Sequence, residues 1–279
     1  MTIKEKPGSP DDQENRLRML SFFGSHLVAL CIIHLGLENE GPQFKAYSGT
    51  LLRVDDRVLW VTAGHILEAV YEALNSGKRT VGECVLADAF GEAFISEAPI
   101  PIDLTATPHH YVHDDSAGLD YGALLLHPHH VRLLEANGVR VVEEENWNRQ
   151  HNVDFEGFMM IGLPEEFTSS DLSPEGHGTV SPTIFGVRSV ENPSDRQTEH
   201  PRFIGKINPG NEALQSAVGM SGGPIFGVAH IHALRYWVVA IQSSWLKRDR
   251  IVFGCPMPVI GPMLTEWVRS QTEVLETKD

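Results

Sequence analysis

The sequence predicts an all-β protein, and three observations carry that expectation. Apolar runs of strand length recur in both halves of the chain, bounded by Gly, Pro, Asn, Asp and Ser. They do not alternate with long helices, as a parallel α/β sheet would require. The 25 glycines among 279 residues, with a hydrophobic fraction of 42%, fit a soluble, turn-rich chain long enough to bury a substantial core.

Taken in order, residues 1–15 mix proline, glycine and charge and are expected to form an arm without fixed structure. Asn15 to Phe23 suits a short helix and His26 to Leu35 a strand. Phe44 to Val54 and Arg57 to Thr62 form a hairpin around Asp55-Asp56. From Gly64 the period changes, because Ile66, Val70, Ala73 and Leu74 share one helical face. Short strands follow at Thr80 to Asp88, Glu92 to Ile95, Ile100 to Leu104 and Tyr121 to Leu126, then a helical connection over Pro128 to Asn137.

Glu143 to Asn152 is polar and charged and reads as the linker between halves. Strands resume at Asp154 to Gly162, Thr179 to Ser189, Arg202 to Ile207, Pro224 to His230, Arg235 to Ser243 and Ile251 to Cys255. Ile260, Met263, Leu264, Trp267, Val268, Val274 and Leu275 mark one face of a C-terminal helix. The expected organisation is an arm over 1–20, a first β unit over 21–145, a second over 146–255 and the helix over 256–279.

Chemistry concentrates around Gly219-Met220-Ser221-Gly222-Gly223-Pro224. Small neighbours let a substrate carbonyl approach the Ser221 hydroxyl, and the N–H groups of Gly219 and Ser221 can converge on a developing oxyanion. A serine hydroxyl is a weak nucleophile, so it needs a base and a group to orient that base. Thr62-Ala63-Gly64-His65 offers a histidine at a strand-to-helix junction. Leu119-Asp120-Tyr121-Gly122-Ala123 offers an aspartate at the mouth of an apolar strand.

These three stretches, in this order, resemble the trypsin/chymotrypsin-like serine peptidases, and the resemblance spans roughly residues 44 to 255. It implies two six-stranded antiparallel β-barrels closed by a C-terminal helix. His65 and Asp120 would lie on the first barrel and Ser221 on the second. It implies Ser221 as nucleophile, His65 as general base and Asp120 as the group that orients His65, with Asp114 and Asp115 as alternatives for that acid. Gly219 and Ser221 would supply the oxyanion hole. Chain order argues against the rivals: the α/β-hydrolase elbow needs an acid and then a histidine after the serine. Only His230 and His232 follow, with no carboxylate between them and Ser221. A subtilisin order could use Asp55 or Asp56 before His65 but requires an α/β fold.

The resemblance also implies substrate contacts. Gln215 falls at the base of the specificity pocket, with Glu212 the nearest carboxylate if that loop is shifted. Gln242, Ser243, Ser244 and Trp245 belong to the strand expected to pair with substrate backbone and wall the pocket. Many animal members carry an aspartate before the nucleophile to receive a new N-terminus. Met220 stands there, so activation by N-terminal cleavage is not expected.

A net charge of −15 argues against a phosphate-backbone partner, and no run reaches membrane-spanning length. Met1 to Pro10 lacks the apolar core of a signal peptide. Cys31, Cys84 and Cys255 are odd in number and widely spaced, so three buried thiols in a reducing cytoplasm are expected. His109-His110-His113 and His127-His129-His130 lack metal-site spacing and are expected to be exposed loop histidines; no metal and no cofactor is implied. The expected function is a cytoplasmic serine endopeptidase acting on protein or peptide. The alternative is a latent protease-fold module that binds a regulatory protein partner.

Overall fold

A computed structural model describes residues 10–35, 42–76, 80–91, 96, 98–147, 153–168, 180–191, 197–208, 216–231 and 233–276. The strand expected over Glu92 to Ile95, and both Gln215 and Glu212, lie outside them.

Helix α1 (Pro10–Gly24) leads into β1 (Leu27–Leu35), whose continuous apolar run is buried along nearly its whole length. Strands β2 (Gln43–Val54) and β3 (Arg57–Thr62) form the expected hairpin. Its two turn residues, Asp55 and Asp56, both have positive φ, at 44° and 64°. Aspartate tolerates this left-handed region, which matches the twist of a two-residue hairpin. Helix α2 (Gly64–Ser76) starts two residues after β3 and buries Ile66, Leu67, Val70 and Tyr71 against the sheet. After it come β4 (Thr80–Ala87), β5 (Ile100–Pro101), β6 (His109–Asp114) and β7 (Leu119–Leu125).

These strands make an antiparallel sheet ordered β5-β4-β1-β2-β3-β7-β6. Where a closed six-stranded barrel is expected, the described strands instead form a seven-stranded sheet whose end strands β5 and β6 do not pair with each other, with Ile100-Pro101 adding a two-residue edge to β4. Proline is tolerated there because no further strand needs its missing N–H. Strand β6 also differs from expectation, since His109, His110 and His113 lie on a strand and not in a loop. The ring of His109 stacks on Tyr71 at 3.6 Å, and that of His110 on Trp267 at 5.6 Å.

Helix α3 (Pro128–Ala136) begins on a proline, with the His127 side chain accepting from the His129 N–H. The second half closes as a six-stranded barrel from β8 (Gly157–Gly162), β9 (Thr183–Ser189), β10 (Phe203–Ile207), β11 (Pro224–Ile231), β12 (Ala233–Leu246) and β13 (Ile251–Pro256). Helix α4 (Met257–Glu276) follows directly.

One apolar cluster, with Tyr121, Phe226, Cys255 and Ile260, joins residues of both halves and α4. The first sheet keeps its own core around Leu30, Trp60 and Leu67, and the barrel its own around Met160, Met220 and Ile225. The chemistry-bearing residues lie at the junction these cores create.

Candidate active site

His65 sits one residue inside α2, immediately after β3, so a strand and a helix together fix its backbone. Its main-chain N–H donates to Asp120 Oδ1 at 2.9 Å, and its ring Nδ1 lies 2.8 Å from Asp120 Oδ2. One residue thus holds both oxygens of one carboxylate, which sets the rotation as well as the place of Asp120. A carboxylate accepts, so Nδ1 carries the ring proton and Nε2 is left for proton exchange. Asp114 is committed elsewhere: its Oδ1 accepts from Ser116 N–H and O–H and from Ala117 N–H, which holds its pKa below the usual carboxylate value.

Ser221 comes from the turn between Ala217 and β11. Gly219 and Gly222 there have φ of +87° and +86°, a region that favours glycine. At Gly222 space forbids a side chain as well, since a Cβ would run into Thr62 Oγ1 and the Ser48 carbonyl. The Gly222 N–H donates to Gln242 O at 2.8 Å and the Gln242 N–H to Gly223 O at 2.9 Å, tying the turn to β12. The Ser221 hydroxyl donates to the Ser243 carbonyl at 3.0 Å. Among the described residues no hydrogen bond joins Ser221 to His65, although both line one cleft.

Two main-chain contacts orient the peptides around the serine. The Glu165 N–H donates to Val218 O at 2.8 Å, and the Gly223 N–H to Met220 O at 3.0 Å. A trans peptide sets its N–H opposite its C=O. The amides of Gly219 and Ser221 therefore point away from those donors, and neither has an acceptor among the described residues. Ser48 reinforces the turn, donating to Gly219 O at 3.1 Å and accepting from the Leu163 N–H at 2.9 Å.

The cleft encloses about 1240 Å³, more than the roughly 300–1,000 Å³ of a small-ligand pocket. It is flanked by strand edges from both halves. Residues 43–47 line it and pair with β1 alone; Ser243, Ser244 and Trp245 line it and pair at most with β13. No described strand covers either edge. Gln242 departs from expectation: it is fully buried and does not line the cleft. Its Nε2 donates inward to Ser244 O at 3.2 Å. The β12–β13 register shifts between Gln242 and Ser244, a bulge that breaks the regular alternation expected of that strand.

Sequence reasoning missed His113 as a cleft residue. It stands directly across from Asp120 in the β6–β7 register, with its ring 5.7 Å from that of His65. Glu68 Oε2 lies 2.6 Å from His113 Nδ1. That hydrogen bond raises the His113 pKa against the opposing effect of burial, and the charges of Asp120, Glu68 and Asp115 raise it further. No local pattern announces it, because Glu68 and His113 meet across 45 positions.

No family model and no curated protein sequence matches this chain. Similar solved structures exist at low identity. A thermostable serine protease, AL20, from an extremophilic microorganism is 14% identical, over 84% of this chain and 93% of that one, with a TM-score of 0.47. The serine protease domain of the Sesbania mosaic virus polyprotein is 14% identical, over 85% and 90%, with a TM-score of 0.46. A serine endoprotease from Yersinia pestis is 13% identical, over 95% and 68%, with a TM-score of 0.48.

Proposed function

We propose that this chain is a serine endopeptidase that cleaves peptide bonds through an acyl-enzyme on Ser221. One observation carries the reading: an aspartate-held histidine and a serine flanked by two amides line a cleft bordered by two unpaired strand edges. An extended peptide is the ligand such edges suit, because it gains main-chain hydrogen bonds without demanding a sequence.

In this mechanism Ser221 Oγ attacks the scissile carbonyl carbon while its proton passes to His65 Nε2. Asp120 stabilises the imidazolium at Nδ1. The amides of Gly219 and Ser221 receive the oxyanion. Collapse breaks the C–N bond, and the leaving amine takes the proton from His65. Water then repeats the sequence on the ester and restores Ser221. Met220 fits a site that matures without a new N-terminus, since its side chain is wholly buried in the barrel core.

A second reading, a latent binding module, has one observation in its favour: Ser221 donates to Ser243 and not to His65. Labelling with a fluorophosphonate separates the two, because only an activated serine reacts. The chain beginning at Met1 is expected to label at Ser221 without trimming. Labelling that is absent, or that persists in Ser221→Ala, removes the peptidase reading.

The cytoplasm is the proposed compartment. Cys31, Cys84 and Cys255 are all free thiols, as in a reducing environment; Cys31 and Cys255 are buried as expected, whereas Cys84 is only partly buried. Among the described residues no helix is long and apolar enough to cross a membrane.

A further inference from the structure

Asp120 belongs to the first sheet, yet its main chain is held from the barrel of the second half. The Asp120 N–H donates to Cys255 Sγ at 3.0 Å, and the thiol lies 3.3 Å from Asp120 O and 3.7 Å from Gly118 O. Cys255 is completely buried on β13, directly across from Ile241 of β12, two residues before Ser243. A second tie holds the turn ahead of Asp120. The His200 N–H donates to Ala117 O at 2.9 Å and the Glu199 N–H to Ser116 O at 3.5 Å, both from the segment that enters β10.

We infer that Cys255 is a positioning residue: its thiol fixes the Asp120 main chain, and through it the carboxylate that orients His65. The inference rests on the peptidase reading for its catalytic consequence, and on the hydrogen bonds alone for its geometry. Sulfur suits the place because one atom accepts from the Asp120 N–H and donates to the carbonyl beside it. Burial pushes the thiol up to about 11, so it keeps its proton at neutral pH and remains a donor. The same burial leaves it inert as a nucleophile. The strand that carries Cys255 is paired with the strand whose Ser243 carbonyl accepts from Ser221. Both the acid and the nucleophile thus take their reference from one hairpin.

The test uses three full-length variants and two readouts. Cys255→Ser keeps a donor and an acceptor, Cys255→Ala keeps neither, and Cys255→Val keeps neither but fills the space. The first readout is the second-order rate of Ser221 labelling by a fluorophosphonate. The second is the low-field proton resonance of the His65–Asp120 hydrogen bond, which needs no activity. In Cys255→Ala and Cys255→Val the labelling rate should fall about tenfold or more, since misplacement of about 1 Å far from the chemistry can cost 10²-fold. The resonance should broaden away in both. Cys255→Ser should restore the resonance and bring the rate within about threefold of wild type.

If Cys255→Ala or Cys255→Val keeps both signals, the thiol only fills space and the inference is overturned. If Cys255→Ser behaves like Cys255→Ala, hydrogen bonding is not its role and the inference fails equally. A wild type that does not label at all defeats the peptidase reading instead, and the resonance still decides the part played by Cys255.

Discussion

The Ser221 hydroxyl donates a hydrogen bond to the main-chain carbonyl of Ser243, 3.0 Å away, and so rests turned toward β12. On the proposed peptidase reading, attack exchanges this contact for one with His65. Hydrogen bonds of a catalytic set are often loose without substrate and tighten in the complex. Ser221→Ala should abolish fluorophosphonate labelling and peptide cleavage, and His65→Ala should lower turnover by about 10⁴-fold or more. Removing the Ser221 hydroxyl loses one hydrogen bond, about 1 kcal/mol, so thermal unfolding should shift little. Wild-type turnover in Ser221→Ala would end the assignment.

Most of the fold and the poles of the site were legible from local pattern. The hairpin around Asp55-Asp56, the change of period at Gly64 and the strand after Asp120 each declare themselves within a dozen residues. Strand β6 did not, because only its middle residues are partly buried and its ends are exposed, which blurs the alternation. The contacts that tune the site were hidden for another reason. Cys255 meets Asp120 across 135 positions and Ser48 meets Gly219 across 171. No window of sequence relates residues so distant, and only the closing of the two halves brings them together.

Among the described residues the Val218–Gly219 peptide has one donor to its carbonyl, the Glu165 N–H. Pro164 already has φ −59° and ψ 134°, the conformation a following proline prefers, and Glu165 opens a short 3₁₀ turn. Glu165→Pro suits the local backbone but replaces that N–H with a ring carbon set against Val218 O, so it removes the donor and pushes on the peptide, whereas Glu165→Ala keeps the donor. Loss of one oxyanion donor costs roughly 10²–10³ in rate, and a loosened peptide should lose part of that range. Labelling rates should fall in Glu165→Pro and stay near wild type in Glu165→Ala. Equal rates in the two variants would show that the peptide holds its orientation unaided.

Two buried groups give the stability profile opposing slopes. Burial among Phe226, Tyr236 and their neighbours lowers the pKa of His26 from 6.5 to about 4. Between those values the unfolded chain binds the extra proton, so stability falls as pH drops from 6.5 toward 4, by about 3 kcal/mol. Burial instead raises Asp88 from 3.8 to about 6, against the pull of its hydrogen bond from Asn137. There the folded chain binds the extra proton, so stability falls as pH rises from 3.8 through 6. The two effects offset each other over much of the same window. Asp88→Asn removes the second and should make the loss of stability on acidification between about pH 4 and 6 steeper than in wild type, as read by urea unfolding. A flat profile in Asp88→Asn would show that His26 does not stay neutral.

Specificity should follow from the wall beside Ser221. A preference for Arg or Lys before the cut bond needs a buried carboxylate, because an unpaired cation is costly to desolvate. Of the three cleft-lining carboxylates, Asp120 is held by His65 through both oxygens, and Asp115 and Glu165 are exposed, so water screens them. Closer to the serine the lining is Ala217, Val218, Ser243 and Ser244, all uncharged, with the half-buried Trp245 beyond. Small or medium uncharged side chains should therefore be favoured in a peptide-library cleavage profile. Trp245→Ala opens the wall and should extend the preference to larger apolar side chains while leaving the fluorophosphonate rate near wild type. A wild-type profile dominated by Arg or Lys would place a carboxylate at the pocket base, and Glu212→Gln would then have to erase that dominance.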